Sequence, residues 1–146
     1  MTTWSTHAHE GLQQAGLRSG GARRAVVDFL DRQHCCLSVQ EIFDGIRSEG
    51  GKAGIASVYR ALDTLAALGL VERVDFGDGI ARYEPAHPDG EHHHHHVVCD
   101  DCGRVESFAD ATLESALGRV AGSLGFELGT HEVVLRGACD DCRSAA

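Results

Sequence analysis

Five consecutive imidazoles, His92 to His96, run through Val97 and Val98 into Cys99-Asp100-Asp101-Cys102. A second Cys-x2-Cys, Cys139-Asp140-Asp141-Cys142, lies near the C-terminus. Imidazole nitrogens and thiolates are the donors that borderline and soft transition metals prefer. Four thiolates in two such pairs make a closed tetrahedral site, so Cys99, Cys102, Cys139 and Cys142 are assigned to a structural zinc. Three blander readings compete. An expression-tag scar would sit at a terminus, and this run is internal. Disulfides belong to secreted chains, and nothing in the sequence signals secretion. The third keeps the cysteines as ligands and makes the histidines a solvated loop.

Strand geometry bears on that third reading. Side chains alternate faces along an extended segment. If His92 to Cys99 is a strand, His92, His94 and His96 face one way and His93 and His95 the other. One run can then feed two sites. For His93 and His95 the sheet-side partners would be Glu114, on a helix, and His131, on the last strand. For His94 and His96 the ligands facing the linker would be Glu84, with His87 a further candidate.

The elements that must position these groups follow from periodicity and capping. His92 to Cys99 and Arg104 to Phe108 read as strands turning on Asp100 to Gly103. Asp110 caps a helix with Leu113, Leu117, Val120 and Leu124 in a stripe, and His131 to Gly137 is a final strand. The 36 residues between Cys102 and Cys139 are thus a strand-helix-strand that returns the chain to its starting edge. A β-β-α-β unit of about 55 residues is marginal alone, and gains from a metal and from a second copy at its unpaired sheet edge.

Upstream, residues 1 to 21 read as a loosely held arm with one short helix around Glu10 to Ala15. An amphipathic helix spans Ala22 to Gln33 with Val26, Phe29 and Leu30 inward. Ser38-Val39-Gln40-Glu41 is a capping box opening a helix with Ile42, Phe43 and Ile46 inward. The next helix starts near Ser57. It stacks Val58, Leu62, Leu65 and Leu68 on one stripe and leaves Ser57, Tyr59, Arg60, Asp63 and Thr64 on the other face; Gly69 ends it. Leu70 to Asp75 and Ile80 to Glu84 alternate around Phe76-Gly77-Asp78-Gly79, a hairpin. Two helices followed by a hairpin have the layout of a winged helix-turn-helix. Arg73 and Arg82 on the hairpin are candidates for phosphate contact. The segment 85–91, with both prolines of the chain, reads as a linker. The division expected is a DNA-binding domain over 1–84, a hinge over 85–91 and a metal-binding dimerisation domain over 92–146.

Whole-chain properties set limits. The formal charge of −9 looks wrong for a nucleic-acid binder until it is divided. Residues 1–84 hold nine Lys/Arg against eleven Asp/Glu, whereas residues 85–146 hold four against eleven, so the acidity lies with the metal ligands. The first half keeps Arg23, Arg24, Lys52 and Arg60 for a local basic face. No stretch approaches the ~18 apolar residues that span a bilayer, so no membrane partner is expected. A chain with reduced thiols and no signal peptide is expected in the cytoplasm.

His-His-His-His-Val-Val-Cys-x2-Cys, together with Ser57-Val58-Tyr59-Arg60-Ala61-Leu62, resembles the ferric uptake regulator family of bacterial metal-sensing repressors. The resemblance runs from about Leu17 to Cys142. It implies an α+β fold: an N-terminal winged helix-turn-helix domain hinged to a C-terminal β-β-α-β dimerisation domain with structural zinc. It implies a dimerisation-domain site on His93, His95, Glu114 and His131, and a hinge sensing site on Glu84, His94 and His96 plus one ligand from the winged helix. In iron-type members that ligand is a histidine just before the capping-box serine, where this chain has Cys36 beside Cys35. A thiolate is a softer donor and favours Zn2+ over Fe2+ or Mn2+. Zinc-type members often place their cysteine after the wing, where this chain has Pro85-Ala86-His87. Asp75 is a further candidate ligand or a turn residue, and the vicinal Cys35-Cys36 pair a redox couple or buried small hydrophobes.

The mechanism implied is a binding switch. Metal shared between winged helix and dimerisation domain fixes the angle that sets two recognition helices about 34 Å apart on a palindromic operator in double-stranded DNA. Ser57, Tyr59 and Arg60 are expected at bases or phosphates, with Arg23 and Lys52 on the backbone. The function expected is a metal-dependent repressor of metal-uptake and homeostasis genes, with zinc favoured as the sensed metal and no catalytic residues. Two other readings stay open in the same family, iron sensing and peroxide sensing. A zinc storage protein or metallochaperone, or a zinc hydrolase using His93, His95 and His131 with Glu114, would be a different class.

Overall fold

The computed structural model describes residues 3–18, 20–88 and 93–144. The chain separates into two compact units, Met1–Glu91 and His92–Ala146. No helix among the described residues is long and apolar enough to cross a membrane.

Among its described residues the first unit holds four helices and a three-stranded sheet. Helix α1 (Trp4–Gln14) begins well before the short helix expected near Glu10, capped by the Thr3 hydroxyl, which accepts the Thr6 N–H. Trp4, Ala8 and Leu12 recur at helical spacing and are all buried, and the Trp4 indole N–H donates to the Leu70 carbonyl at 3.0 Å. The expected loose arm is therefore part of the core. Helix α2 (Gly21–Asp31) ends two residues earlier than predicted and buries Val26, Val27, Phe29 and Leu30. A two-residue strand β1 (Leu37–Ser38) leads directly into α3 (Val39–Ser48), where both bonds of the Ser38–Glu41 capping box are formed.

Helix α4 (Ile55–Ala67) buries Val58, Ala61, Leu62 and Leu65. Leu68, predicted on that stripe, is instead the C-cap and is 40% exposed, because the helix has stopped before the stripe comes round again. Strands β2 (Val71–Asp75) and β3 (Ala81–Pro85) form the expected hairpin, and Gly77 and Gly79 take the left-handed conformation its turn requires. The sheet order is β1-β3-β2, all antiparallel. Helices α1 to α4 pack Leu12, Leu30, Ile42 and Leu62 into one apolar cluster, each side chain contributing roughly 1.5–3 kcal/mol by leaving water.

Close approach of α2 to α3 rests on one glycine. A Cβ built on Gly45 would lie 2.1 Å from Phe29 Cζ. Gly45→Ala gains up to about 1 kcal/mol in helix propensity but overpacks the ring at a cost of about 1–3 kcal/mol. The expected net result is a lower urea midpoint; a raised midpoint would show that the Phe29 ring has room to move.

The second unit runs β4 (His95–Cys99), β5 (Val105–Phe108), α5 (Ala111–Ser123), β6 (Val134–Gly137) and a short α6 (Asp140–Ser144). Strand order is β5-β4-β6, with β4 antiparallel to β5 and parallel to β6. The expected β-β-α-β order is present, with α6 added. Two strands start late: the central β4 at His95 rather than His92, and β6 at Val134 rather than His131. His92 itself lies outside the described residues. Asp110 caps α5 as predicted, accepting the Leu113 N–H at 2.9 Å. No residue of α5 is buried, and Val120, Leu124, Phe126 and Leu135 are each at least half exposed. The predicted apolar stripe exists and is covered only in part: Leu113 and Leu117 are half-buried, Val120 and Leu124 exposed.

Candidate metal centres and DNA-reading face

The second unit gathers the four cysteines. Cys99 ends β4, Cys102 follows on the turn, and β6 with α6 returns Cys139 and Cys142. Their sulfurs all lie within 4.8 Å of one another, and Cys102 Sγ is 3.8 Å from Cys139 Sγ. Four thiolates at the usual zinc–sulfur distance of about 2.3 Å form a tetrahedron with edges of about 3.8 Å, so the spacing suits that ion. Backbone N–H groups face the sulfurs: that of Cys139 donates to Cys99 Sγ at 3.3 Å. This bond, with the N–H of Cys102, pulls the Cys99 thiol down to about 6, making it a ready thiolate at neutral pH. None of the six cysteines is in a disulfide.

The second cluster joins His93, His95, Glu114 and His131, again with one ligand atom from each within 4.8 Å of the rest. Alternation along the run is why His93 and His95 meet there and His94 does not. His131 Nδ1 donates to the Gly129 carbonyl at 3.0 Å, which leaves its Nε2 facing Glu114 Oε2 at 2.7 Å and His93 Nε2 at 3.2 Å. Acceptors converging this closely call for a cation between them, either a proton or a metal. His95 bonds Glu114 through Nε2 and accepts the Val133 N–H on Nδ1, so coordination by His95 would release the Nε2 proton. The His95 bond, then that of His131, holds the Glu114 carboxyl below the usual range, and the Gly129 carbonyl with Glu114 raises His131.

The expected hinge ligands divide between the two units. In the first, β1 pairs Leu37 with Tyr83 and Ser38 with Arg82, a register that, continued one residue before β1, sets Cys36 opposite Glu84, whose charge acts on the Cys36 thiol. Pairing through β1, which has no signature in the sequence, thus brings two of those residues side by side. Cys36 is buried, and its hydrogen bond with Cys35, together with burial, pushes its thiol well up. In the second unit, the His94 and His96 rings stand 4.9 Å apart, edge to face. Neither His87 nor Asp75 joins a cluster of three or more potential ligands among the described residues. Asp75 Oδ1 accepts the Gly77 N–H at 2.8 Å, the turn role rather than the ligand role.

The face expected to read DNA is on α4. Tyr59 is 51% exposed, Arg60 is exposed, and its guanidinium donates to the half-buried Ser57 hydroxyl at 3.2 Å. Lys52 is exposed just before this helix, whereas Arg23 is half-buried and donates to the Arg18 carbonyl. Arg73 is exposed on β2. Arg82 is not available for phosphate: it pairs with Asp78 at 2.9 Å, lies over the Phe76 ring and is 3% exposed. A turn carboxylate four residues back was the signal for that inward role.

Residues 14–136 match the family model described as "Ferric uptake regulator family". The chain belongs to the ferric uptake regulator family. It is 35% identical to the zinc uptake regulation protein of Mycobacterium tuberculosis over 133 residues, covering 91% of this chain and all of that one. Identity to the ferric uptake regulation protein of Shigella flexneri is 33% over 143 residues, 94% of this chain and 93% of that one. Among solved structures, the ferric uptake regulator of Helicobacter pylori superposes with a TM-score of 0.81 at 28% identity, over 96% of this chain and 91% of that one. The α+β fold is thus a winged helix followed by a dimerisation domain, and the protein is a metal-responsive transcriptional regulator that binds DNA as a dimer. Family membership sets aside the hydrolase, because these proteins are regulators and not enzymes.

Proposed function

We propose that this regulator represses metal-uptake and homeostasis genes in the cytoplasm when zinc occupies its regulatory site, binding a palindromic operator as a homodimer. The observation that carries the reading is Cys36 set opposite Glu84 by the β1–β3 register. A soft sulfur donor at that place, with imidazoles of His94 and His96 completing the set across the 85–91 hinge, ranks Zn2+ above Fe2+ or Mn2+. Cys99, Cys102, Cys139 and Cys142 hold structural zinc in this reading. His93, His95, Glu114 and His131 hold a second ion whose nitrogen and oxygen donors also accept Fe2+ or Mn2+. Identities of 35% and 33% to zinc and ferric regulators do not rank the metals, so the donor chemistry has to.

Ser57, Tyr59 and Arg60 read the operator, with Lys52 and Arg23 on its backbone. The test is an operator titration at fixed salt with buffered Zn2+, Fe2+, Mn2+ and Ni2+ in turn. Zinc is expected to support binding at the lowest free concentration. Binding at lower free Fe2+ or Mn2+ than Zn2+ would overturn the assignment, and metal uptake with no effect on DNA affinity would make the chain a storage protein.

A further inference from the structure

The winged-helix unit carries a second sulfur that the four-ligand hinge set does not use. Adjacent residues of an extended strand point to opposite faces. Cys35 and Cys36 escape that rule because a bend at His34–Cys35 precedes β1, and their sulfurs lie 3.8 Å apart. The same separation holds between Cys102 and Cys139 in the four-sulfur group. It is the spacing at which two thiolates share one tetrahedral ion of zinc size. Cys36 is buried, Cys35 is half-buried, and the β1–β3 register, continued one residue before β1, sets Glu84 opposite Cys36.

We infer that Cys35 and Cys36 act together as a dithiolate clamp, so that the winged-helix half of the regulatory site offers two sulfurs to a soft divalent cation. Two sulfurs make this half-site more thiophilic than one, and Cys35 becomes the residue that sets metal selectivity. Removing either sulfur leaves a site that discriminates less against harder ions. The inference rests on the reading of Cys36 as a regulatory ligand, and the test separates the two.

The experiment uses the full-length dimer with zinc retained on Cys99, Cys102, Cys139 and Cys142, checked by metal analysis, and titrates Co2+ as the optical probe. Sulfur-to-cobalt charge-transfer absorption in the near ultraviolet grows with the number of thiolates on the ion. Cys35→Ser and Cys36→Ser are each expected to lower that absorption by about half, and the double variant to abolish it, since each soft donor contributes separately. Cys35→Ser is also expected to shift half-saturation by Mn2+ closer to that by Zn2+. Cys35→Ala repeats both measurements without a hydroxyl that could itself ligate, and far-ultraviolet circular dichroism verifies folding. Full absorption in both Cys35 variants, with loss in Cys36→Ser, would overturn the clamp and leave the proposed regulatory site standing. Full absorption in Cys36→Ser as well would overturn both.

Discussion

Replacing Cys99 with serine is expected to strip the structural zinc and, with it, the folded second unit and the dimer. Among the described residues of that unit only His95, His96, Val98 and Cys99 are buried, and α5 buries none. A core that small contributes little against the conformational entropy of about 50 residues. A structural zinc contributes on the order of 10–16 kcal/mol in small metal-dependent domains, comparable to or larger than the roughly 5–15 kcal/mol net stability of an ordinary domain. Serine keeps the size of the side chain but replaces the thiolate that Cys139 N–H already favours with a hydroxyl that holds its proton. Metal analysis should show less than one zinc retained at this group per chain, and size-exclusion should show a shift from dimer to monomer or aggregate. The first unit, with its own apolar cluster, should keep its helical signal. A Cys99→Ser dimer with full zinc content would show that three sulfurs suffice, and that the sheet does not depend on the ion.

How much of this is legible in the residues differs by element, for physical reasons. The α3 capping box is legible because Ser38 and Glu41 satisfy each other's backbone groups locally, with no help from distant parts of the chain. The wing is legible because glycines mark the turn that alternation predicts. Helix α1 begins earlier than its sequence suggests, since Trp4, Ala8 and Leu12 are separated by polar residues that mask the stripe until Leu70 is seen across from it. Strand β1 is invisible for the opposite reason: two residues carry no period, and only the pairing with β3 defines them.

The metal groups are the more legible part. Ligand chemistry restricts residue types severely, and period-two alternation sorts His93 and His95 from His94 and His96, although the strand starts only at His95. Sequence leaves Arg82 two roles, with Asp78 four residues back as the one pointer to the inward one. An arginine on a hairpin is as easily a phosphate contact as an inward ion pair, and here Asp78 and Phe76 decide it.

Arg60→Ala is expected to weaken operator binding without touching metal content. Arg60 projects from α4 beside the half-exposed Tyr59, away from Val58, Leu62 and Leu65, so truncation costs the core nothing. Its guanidinium donates to the Ser57 hydroxyl one turn back on the same helix, a bond that DNA could replace. A bidentate arginine–guanine pair is worth about 1–3 kcal/mol of discrimination, so removing one from each half-site of a dimer lowers affinity by roughly thirty- to twenty-thousand-fold. The form of the loss identifies what Arg60 touches. If it meets a base, the fall is larger on the operator than on unrelated DNA. If it meets a phosphate, the fall is uniform across sequences and the salt slope drops by about one for each phosphate released. Zinc per chain and the thermal midpoint should both match the parent protein. Wild-type operator affinity in this variant would mean that another face of the winged helix meets DNA, and Tyr59 and Ser57 would lose their assigned role along with Arg60.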